Sequence, residues 1–301
     1  MIPLFYGPTI SLHNTYSEKV ESENTNVTVV RAPLRVDLAG GWTDLAPYTT
    51  DYGGEVVNFT INKYVHARLS DTGEVKFEFD VPAGSGLGAS GALNVAKIAL
   101  QQGLEGIERE DIAEAAYQLE ITSGNLCGRQ DQWASALGGF NRFLFLGDEV
   151  EKMPFEPTRS AQNWLRKHLI IAHSGISHKS GNIQEGVWSR YESGDSQVIE
   201  GLKKIRLATR TMIDGLQRDQ RHLVVEAFNE ICLGVDLIDP SIHEPFKSVI
   251  APLLSRNAVM AWKALGAGAG GCAALLCHPM EIESVCLDLS GSGWEIIDWD
   301  Y

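Results

Sequence analysis

Basic residues are scarce in this chain. Its 301 residues include 25 Lys and Arg against 39 Asp and Glu, a formal net charge of −14 at pH 7. That balance argues against a nucleic-acid binder, which needs a cationic face to displace counterions from phosphates. Long apolar runs are also missing. None approaches the roughly 18–20 residues of a transmembrane helix, so no membrane partner is expected. The N-terminal stretch MIPLFYGPTISLHNTYSEKVESENTN lacks a basic segment followed by an apolar one. No signal peptide is expected there, and the stretch reads as a polar lead-in to a first strand. Cysteine is sparse and irregular: Cys127, Cys232, Cys272, Cys277 and Cys286 are odd in number and form no C-x-x-C pair. They read as reduced, mostly buried thiols of a cytoplasmic protein. Compositional bias is absent too. At 44% hydrophobic and 21% charged the chain is an ordinary globular protein, and its length suggests two domains or one large one.

The first third is β-rich. Residues 26–31 (NVTVVR) are β-branched, residues 35–38 (RVDL) continue them after a proline, and residues 55–69 and 74–79 alternate apolar and polar positions; all read as strands. Helical patterns occupy residues 90–101, 111–122 and 129–137, followed by a strand at 139–146. A polar stretch after Pro154 and Pro157 marks the expected domain boundary, giving domains 1–157 and 158–301. The second half is mainly helical, at 178–191, 198–216, 223–237 and 243–254, with short strands at 169–173 and 272–277. No internal repeat is present.

Two glycine-rich runs stand out. PAGSGLGAS, residues 82–90, leads directly into a helical pattern. Glycines let backbone approach a ligand closely, and a helix starting there aims free N–H groups at an anion. The run lacks the lysine of a P-loop and the spacing of a dinucleotide fingerprint. On its own it is either a phosphate cradle or a turn. Glu120 and Asp131 follow on later helices. With Ser90 they could supply the hydroxyl, carboxylate and base of a phosphoryl-transfer site, or they could simply solvate their helices.

Three separated segments resemble the three motifs of the GHMP kinases. RAPLRVDLAGGWTD (residues 31–44) resembles the family's sugar-recognition segment, PAGSGLGASGA (82–92) its phosphate loop, and GAGAGG (266–271) its third glycine motif. Together with GRQDQWASALGGFN and SGISHKSGNIQEGVW, they are most similar to the heptose 7-phosphate kinase, sugar 1-kinase branch. The resemblance implies a two-domain α+β fold, the N-terminal half like ribosomal protein S5 domain 2 and the C-terminal half ferredoxin-like, with the active site in the cleft between them. It also implies an ATP- and Mg²⁺-dependent kinase that phosphorylates the anomeric hydroxyl of D-glycero-D-manno-heptose 7-phosphate for nucleotide-activated heptose and surface polysaccharide. Trp42 in GGWTD also resembles the fucokinases, so a fucose or other free-sugar 1-kinase ranks second as the alternative.

Roles follow from the same resemblance. Asp131 is the catalytic aspartate, with Arg35 beside it. Gly40, Gly41, Trp42, Thr43 and Asp44 meet the sugar, Gly40 and Gly41 leaving room for its ring, while His178 and Lys179 approach its phosphate. Pro82, Gly84, Ser85, Gly86, Leu87, Gly88, Ala89 and Ser90 wrap the nucleotide phosphates, and Ser90 with Glu120 holds Mg²⁺. Gly266, Gly268, Gly270 and Gly271 are divided between ligand contact and support. The partners are a sugar or sugar phosphate and ATP, and a homodimer is left open.

The chain departs from the family pattern at four points. Ala89 replaces the first serine of a pair, and Ala269 interrupts the third motif, which suits alanine if its φ is negative. His178 stands where arginine is usual. Only residues 70–81 separate the strand ending at Leu69 from the phosphate loop, a shortening in the region that forms the base pocket. A sugar- and nucleotide-binding sensor without turnover is therefore a second hypothesis, and a mevalonate- or homoserine-type acceptor a third, which GGWTD opposes.

Overall fold

Apolar alternation in the first third of the chain builds one sheet, and short apolar runs in the last third build another. The computed structural model describes residues 16–22, 25–70, 72–103, 106–176 and 180–301. The first sheet begins with β1 (Tyr16–Ser22), paired antiparallel with β2 (Thr25–Ala39). The two strands expected at 26–31 and 35–38 are one. Proline lacks the donor that a ladder needs, so the register with the next strand slips between Pro33 and Leu34 instead of the strand ending.

After α1 (Tyr48–Asp51), the long β3 (Gly54–Ser70) pairs with β2 and with β4 (Val75–Phe79). The helices α2 (Ala89–Gln102), α3 (Arg109–Thr122) and α4 (Gln130–Leu137) follow, then β5 (Phe140–Leu146) and β6 (Glu149–Met153) complete an antiparallel sheet.

The polar stretch expected as a boundary holds α5 (Arg159–His168). Thr158 caps it by accepting a hydrogen bond from the Ala161 N–H at 3.1 Å, and it buries Ala161, Trp164 and Leu165. A mostly polar sequence with one narrow apolar stripe hides such a helix from a composition-based reading. β7 (Leu169–His173) is followed by α6 (Ser180–Glu192), α7 (Ser196–Gln217), α8 (Arg221–Ile238), a 3₁₀ turn and α9 (Glu244–Ser255). β8 (Val259–Ala264), β9 (Cys272–Cys277), α10 (Ile282–Gly291) and β10 (Glu295–Ile296) close the chain. The second sheet runs β10-β7-β9-β8 with antiparallel neighbours. Its strands in chain order stand 4-1-3-2, the split β-α-β arrangement of ferredoxin-like folds.

β3 departs most from its sequence pattern. Alternation predicts a strand with one wet face, yet residues 54–61 are all buried. Its polar positions are covered by partners from neighbouring elements. Glu55 accepts from Arg142 at 2.8 Å and faces Arg210 of α7 at 3.5 Å. Asn58 accepts from Asn141 at 3.2 Å, and Thr60 Oγ1 accepts from the Gly139 N–H at 2.8 Å. One hydrophobic core consequently runs through both halves, and a second lies beneath the ferredoxin-like sheet around Phe246, Trp262 and Leu275. All five cysteines are free; Cys272 and Cys277 are buried, the other three partly exposed.

Candidate active site

The glycine-rich loop at 82–90 is a run of alternating conformations. Gly84, Gly86 and Gly88 have φ of 73°, 75° and 76°, the left-handed region where a side chain is strained. Between them Ser85 and Leu87 are fully buried and anchor the loop. A Cβ on Gly86 would collide with the Leu265 carbonyl oxygen. Gly88 ends the loop as the N-cap of α2 and offers no side-chain cap, so the helix's first N–H groups remain available to an anion.

Arg35, on β2, joins this loop to α4. Its backbone N–H donates to Leu87 O at 3.0 Å and its Nη1 to Gly86 O at 2.6 Å. Nε and Nη2 both reach Asp131 Oδ1, at 2.8 and 2.7 Å. Arg35 is buried, while the Asp131 side chain is 28% exposed. A Cβ on Gly88 would lie 3.1 Å from Arg35 Cγ and 3.4 Å from Asp131 Cγ, so the loop rests on the ion pair.

On the other side of α2, exposed Ser90 donates through Oγ to Glu120 Oε1 at 2.5 Å. Glu120 is buried, and its Oε2 accepts from Gln132 at 2.6 Å and Asn94 at 3.3 Å. These amides fix the carboxylate on α3 so that one oxygen meets the loop.

A cavity of about 90 Å³ opens beside Asp131. Arg35, Gly41, Trp42, Asp44, Cys127, Gly128, Gln130, Gln184 of α6 and Gly266 are among its walls. Burial, reinforced by the nearby Asp131 and Asp37 carboxylates, pushes the Asp44 carboxyl up to about 7. Gln130 opposes that by donating from its backbone N–H at 3.3 Å and its Nε2 at 3.4 Å. Gly128 is required here, because a Cβ would occupy the position of Asp44 Oδ2.

Other residues of the GGWTD segment also make structural contacts. The Thr43 hydroxyl donates to Gly40 O at 2.7 Å and accepts from the Glu55 N–H at 3.2 Å. A Cβ on Gly40 would collide with Glu55 O, and one on Gly41 with Asp37 Oδ2. The absent side chains make room for β3 and Asp37, and Gly41 also borders the cavity. Trp42, at φ 77°, lies 6.5 Å from Trp188 between ring centroids. His178 and Lys179 lie outside the described residues. Cys127, Gln130 and Gln184 were missed from sequence; only Gln130, beside Asp131, carried a positional signal.

The third glycine run braces the loop from behind. A Cβ on Gly266 would crowd Gly86, and one on Gly271 would crowd Gly84 and Ser85. The Cys272 N–H donates to Ser85 O at 2.8 Å. Gly266 also reaches the cavity wall. Ala269 does not have the negative φ its side chain prefers: it sits at 59°, held by its N–H donating to Ile242 O at 2.8 Å.

Residues 55–139 match the family model described as the GHMP kinases N terminal domain. A D-glycero-alpha-D-manno-heptose 7-phosphate kinase of Campylobacter jejuni subsp. jejuni serotype O:2 is 26% identical over 298 residues, covering 80% of this chain and 86% of that protein. A mevalonate kinase of Pyrococcus abyssi is 26% identical over 239 residues, 75% of this chain and 67% of that one. Among solved structures, a D-glycero-D-manno-heptose 1-phosphate kinase from Bacteroides thetaiotaomicron superposes with a TM-score of 0.69 at 22% identity, covering 91% of this chain and 95% of that one. Residues 55–139 thus match a GHMP kinase N-terminal domain, and the chain is similar over most of its length to kinases. Among the described residues, no helix is long and apolar enough to cross a membrane.

Proposed function

We propose that this chain is a GHMP kinase that transfers the γ-phosphoryl group of ATP to the anomeric hydroxyl of D-glycero-D-manno-heptose 7-phosphate. The observation that carries the reading is the contact of Gly88 with the Arg35–Asp131 pair. It sets a loop suited to phosphate directly beside a carboxylate suited to accept a hydroxyl's proton.

Both Arg35 contacts fall on Asp131 Oδ1, leaving Oδ2 to face the acceptor. Asp131 accepts the hydroxyl's hydrogen bond and takes its proton as the oxygen attacks the γ-phosphorus. The bond to the β-phosphate oxygen breaks, and ADP leaves. Arg35 orients the base and faces the negative charge of the moving group. Asp44 and Gln130 accept and donate hydrogen bonds to neighbouring sugar hydroxyls.

Ser90 and Glu120 fit a hard cation: both present oxygen and no sulfur or nitrogen. Among the described residues, no cluster of three or more His, Cys, Asp or Glu is fit to hold a metal by itself. Mg²⁺ is commonly held by one or two protein oxygens together with substrate phosphates, the number that Ser90 and Glu120 would offer. When bound, Mg²⁺ neutralises charge on the nucleotide phosphates.

The heptose acceptor is supported by similarity to the Campylobacter enzyme. The test is ATP consumption with heptose 7-phosphate, fucose, arabinose, galactose, mevalonate and homoserine at equal concentrations. The highest kcat/KM is expected for heptose 7-phosphate. Preference for free fucose would replace the acceptor, preference for mevalonate or homoserine would refute a sugar kinase, and binding without turnover would make the protein a sensor.

A further inference from the structure

A buried ion pair ties the two halves together directly behind the site. Lys263, on β8, donates through Nζ to the backbone oxygen of Asp37 at 2.7 Å and to its Oδ2 at 2.8 Å. The two side chains are only 5% and 4% exposed. Asp37 lies two residues after Arg35 on β2, where alternation puts both side chains on one face. Its Oδ2 also lies where a Cβ of Gly41 would be. On the other side, Lys263 precedes by two residues Leu265, whose carbonyl meets Gly86, and by three Gly266, which lines the acceptor cavity.

The pair therefore stands directly behind Gly41 of the acceptor segment and within three residues of Leu265 and Gly266 in the third glycine run. We propose that Lys263 is a positioning residue for phosphoryl transfer: clamped to Asp37, it fixes the third glycine run against the acceptor segment and neutralises a carboxylate beside Asp44. This rests on the kinase reading above for its effect on turnover, but not for its electrostatics.

Burying two charges is costly, and a well-packed apolar pair often replaces an ion pair without loss of stability. Stability alone is a weak reason to hold a lysine here. Position and charge supply a stronger one. Asp44 faces Asp131 from α4, Cys127 from the preceding loop and Asp37 from β2. Behind Asp37, Lys263 faces Arg35 and Cys232.

Two measurements test the proposal. The first is the carboxyl titration of Asp44, followed by ¹³C NMR on aspartate-labelled protein and assigned by its loss in Asp44→Asn. In Asp37→Asn the Asp44 midpoint should fall by half a pH unit or more, because a like charge has gone and Lys263 remains. The second is steady-state kinetics of Lys263→Met. Turnover should fall at least tenfold with KM for ATP within twofold of the parent, and Lys263→Arg should recover part of the loss. If Lys263→Met does not fold, the neutral double variant Asp37→Asn/Lys263→Met should fold and show the same loss.

An unmoved Asp44 midpoint overturns the proposal, as does unchanged turnover per folded molecule with only a lower melting temperature. Failure of every variant to fold would make the pair a folding strut and overturn it as well. The titration needs no turnover, so a parent inactive on every sugar would sink the kinase reading while leaving this result interpretable.

Discussion

Arg35 holds Asp131 through two nitrogens on a single carboxylate oxygen, Nε at 2.8 Å and Nη2 at 2.7 Å, while its third nitrogen binds Gly86 O at 2.6 Å. One guanidinium thus sets the orientation of the Asp131 carboxylate and its distance from the glycine loop. Lysine presents a point charge without that planar fork. Arg35→Lys should lower kcat by about 10²-fold or more while retaining the fold, measured by initial rates alongside circular dichroism.

Asp131→Asn keeps the size of the side chain and removes its capacity to accept a proton. General-base assistance contributes about 10²–10⁴-fold, so turnover should fall by about 10³-fold. The fold should persist with a slightly lower melting temperature, since one charge-assisted hydrogen bond is weakened. Undiminished phosphorylation would remove Asp131 from its role.

Asp44 gives a pH signature. Its carboxyl titrates near 7 in the folded chain and near 3.9 when unfolded. Between these values the folded state holds a proton that the unfolded state has released. Its contribution is fully present below about pH 4 and lost as pH rises through 7. The slope should cost at most about 4 kcal/mol across that window. Asp44→Asn should flatten it and leave the protein more stable than the parent at pH 8, checked by urea unfolding at pH 5 and pH 8. The same change should raise KM for the sugar.

Gly86 and Gly73 separate strain from collision. Both have positive φ, 75° and 81°, but a Cβ on Gly86 would strike Leu265 O whereas one on Gly73 would meet nothing within 4 Å. Gly73→Ala should cost about 1 kcal/mol from backbone strain alone. Gly86→Ala should cost several times more and raise KM for ATP, because loop and brace must separate. Thermal unfolding and ATP titration read both effects.

Ala269 offers the reverse case. Its φ of 59° costs roughly 1–2 kcal/mol for an L-residue, part of which glycine's greater unfolded-state entropy offsets. Ala269→Gly should therefore stabilise the protein by up to about 1 kcal/mol without changing kcat, measured by urea unfolding.

Local chemistry made much of this legible from residue order. The helices over 90–101, 111–122 and 129–137 and the strand over 169–173 stand where their patterns put them, because their buried faces repeat with the period of the element. PAGSGLGAS was recognisable because a glycine alternation has few other uses. What escaped depends on distant partners. The polar positions of β3 suggested a wet face, and nothing near Glu55 in sequence foretells Arg142 and Arg210. Thr43 looked like a sugar ligand because its bonds to Gly40 and Glu55 exist only once β3 has folded against it. The Asp37–Lys263 pair spans 226 positions of sequence, and Gln184 reaches the cavity from a helix of the other half.

The cover that α7 lays over β3 reaches beyond the site. A fragment ending near residue 157 would carry the whole first sheet but leave Glu55 without Arg210 and a broad apolar face open to water. Such a fragment is expected to fold poorly alone, and exchange of one half between relatives would have to carry matching α7 and β3 surfaces. Evolution of acceptor preference in such a chain is channelled into the residues that line the cavity rather than into the replacement of whole domains.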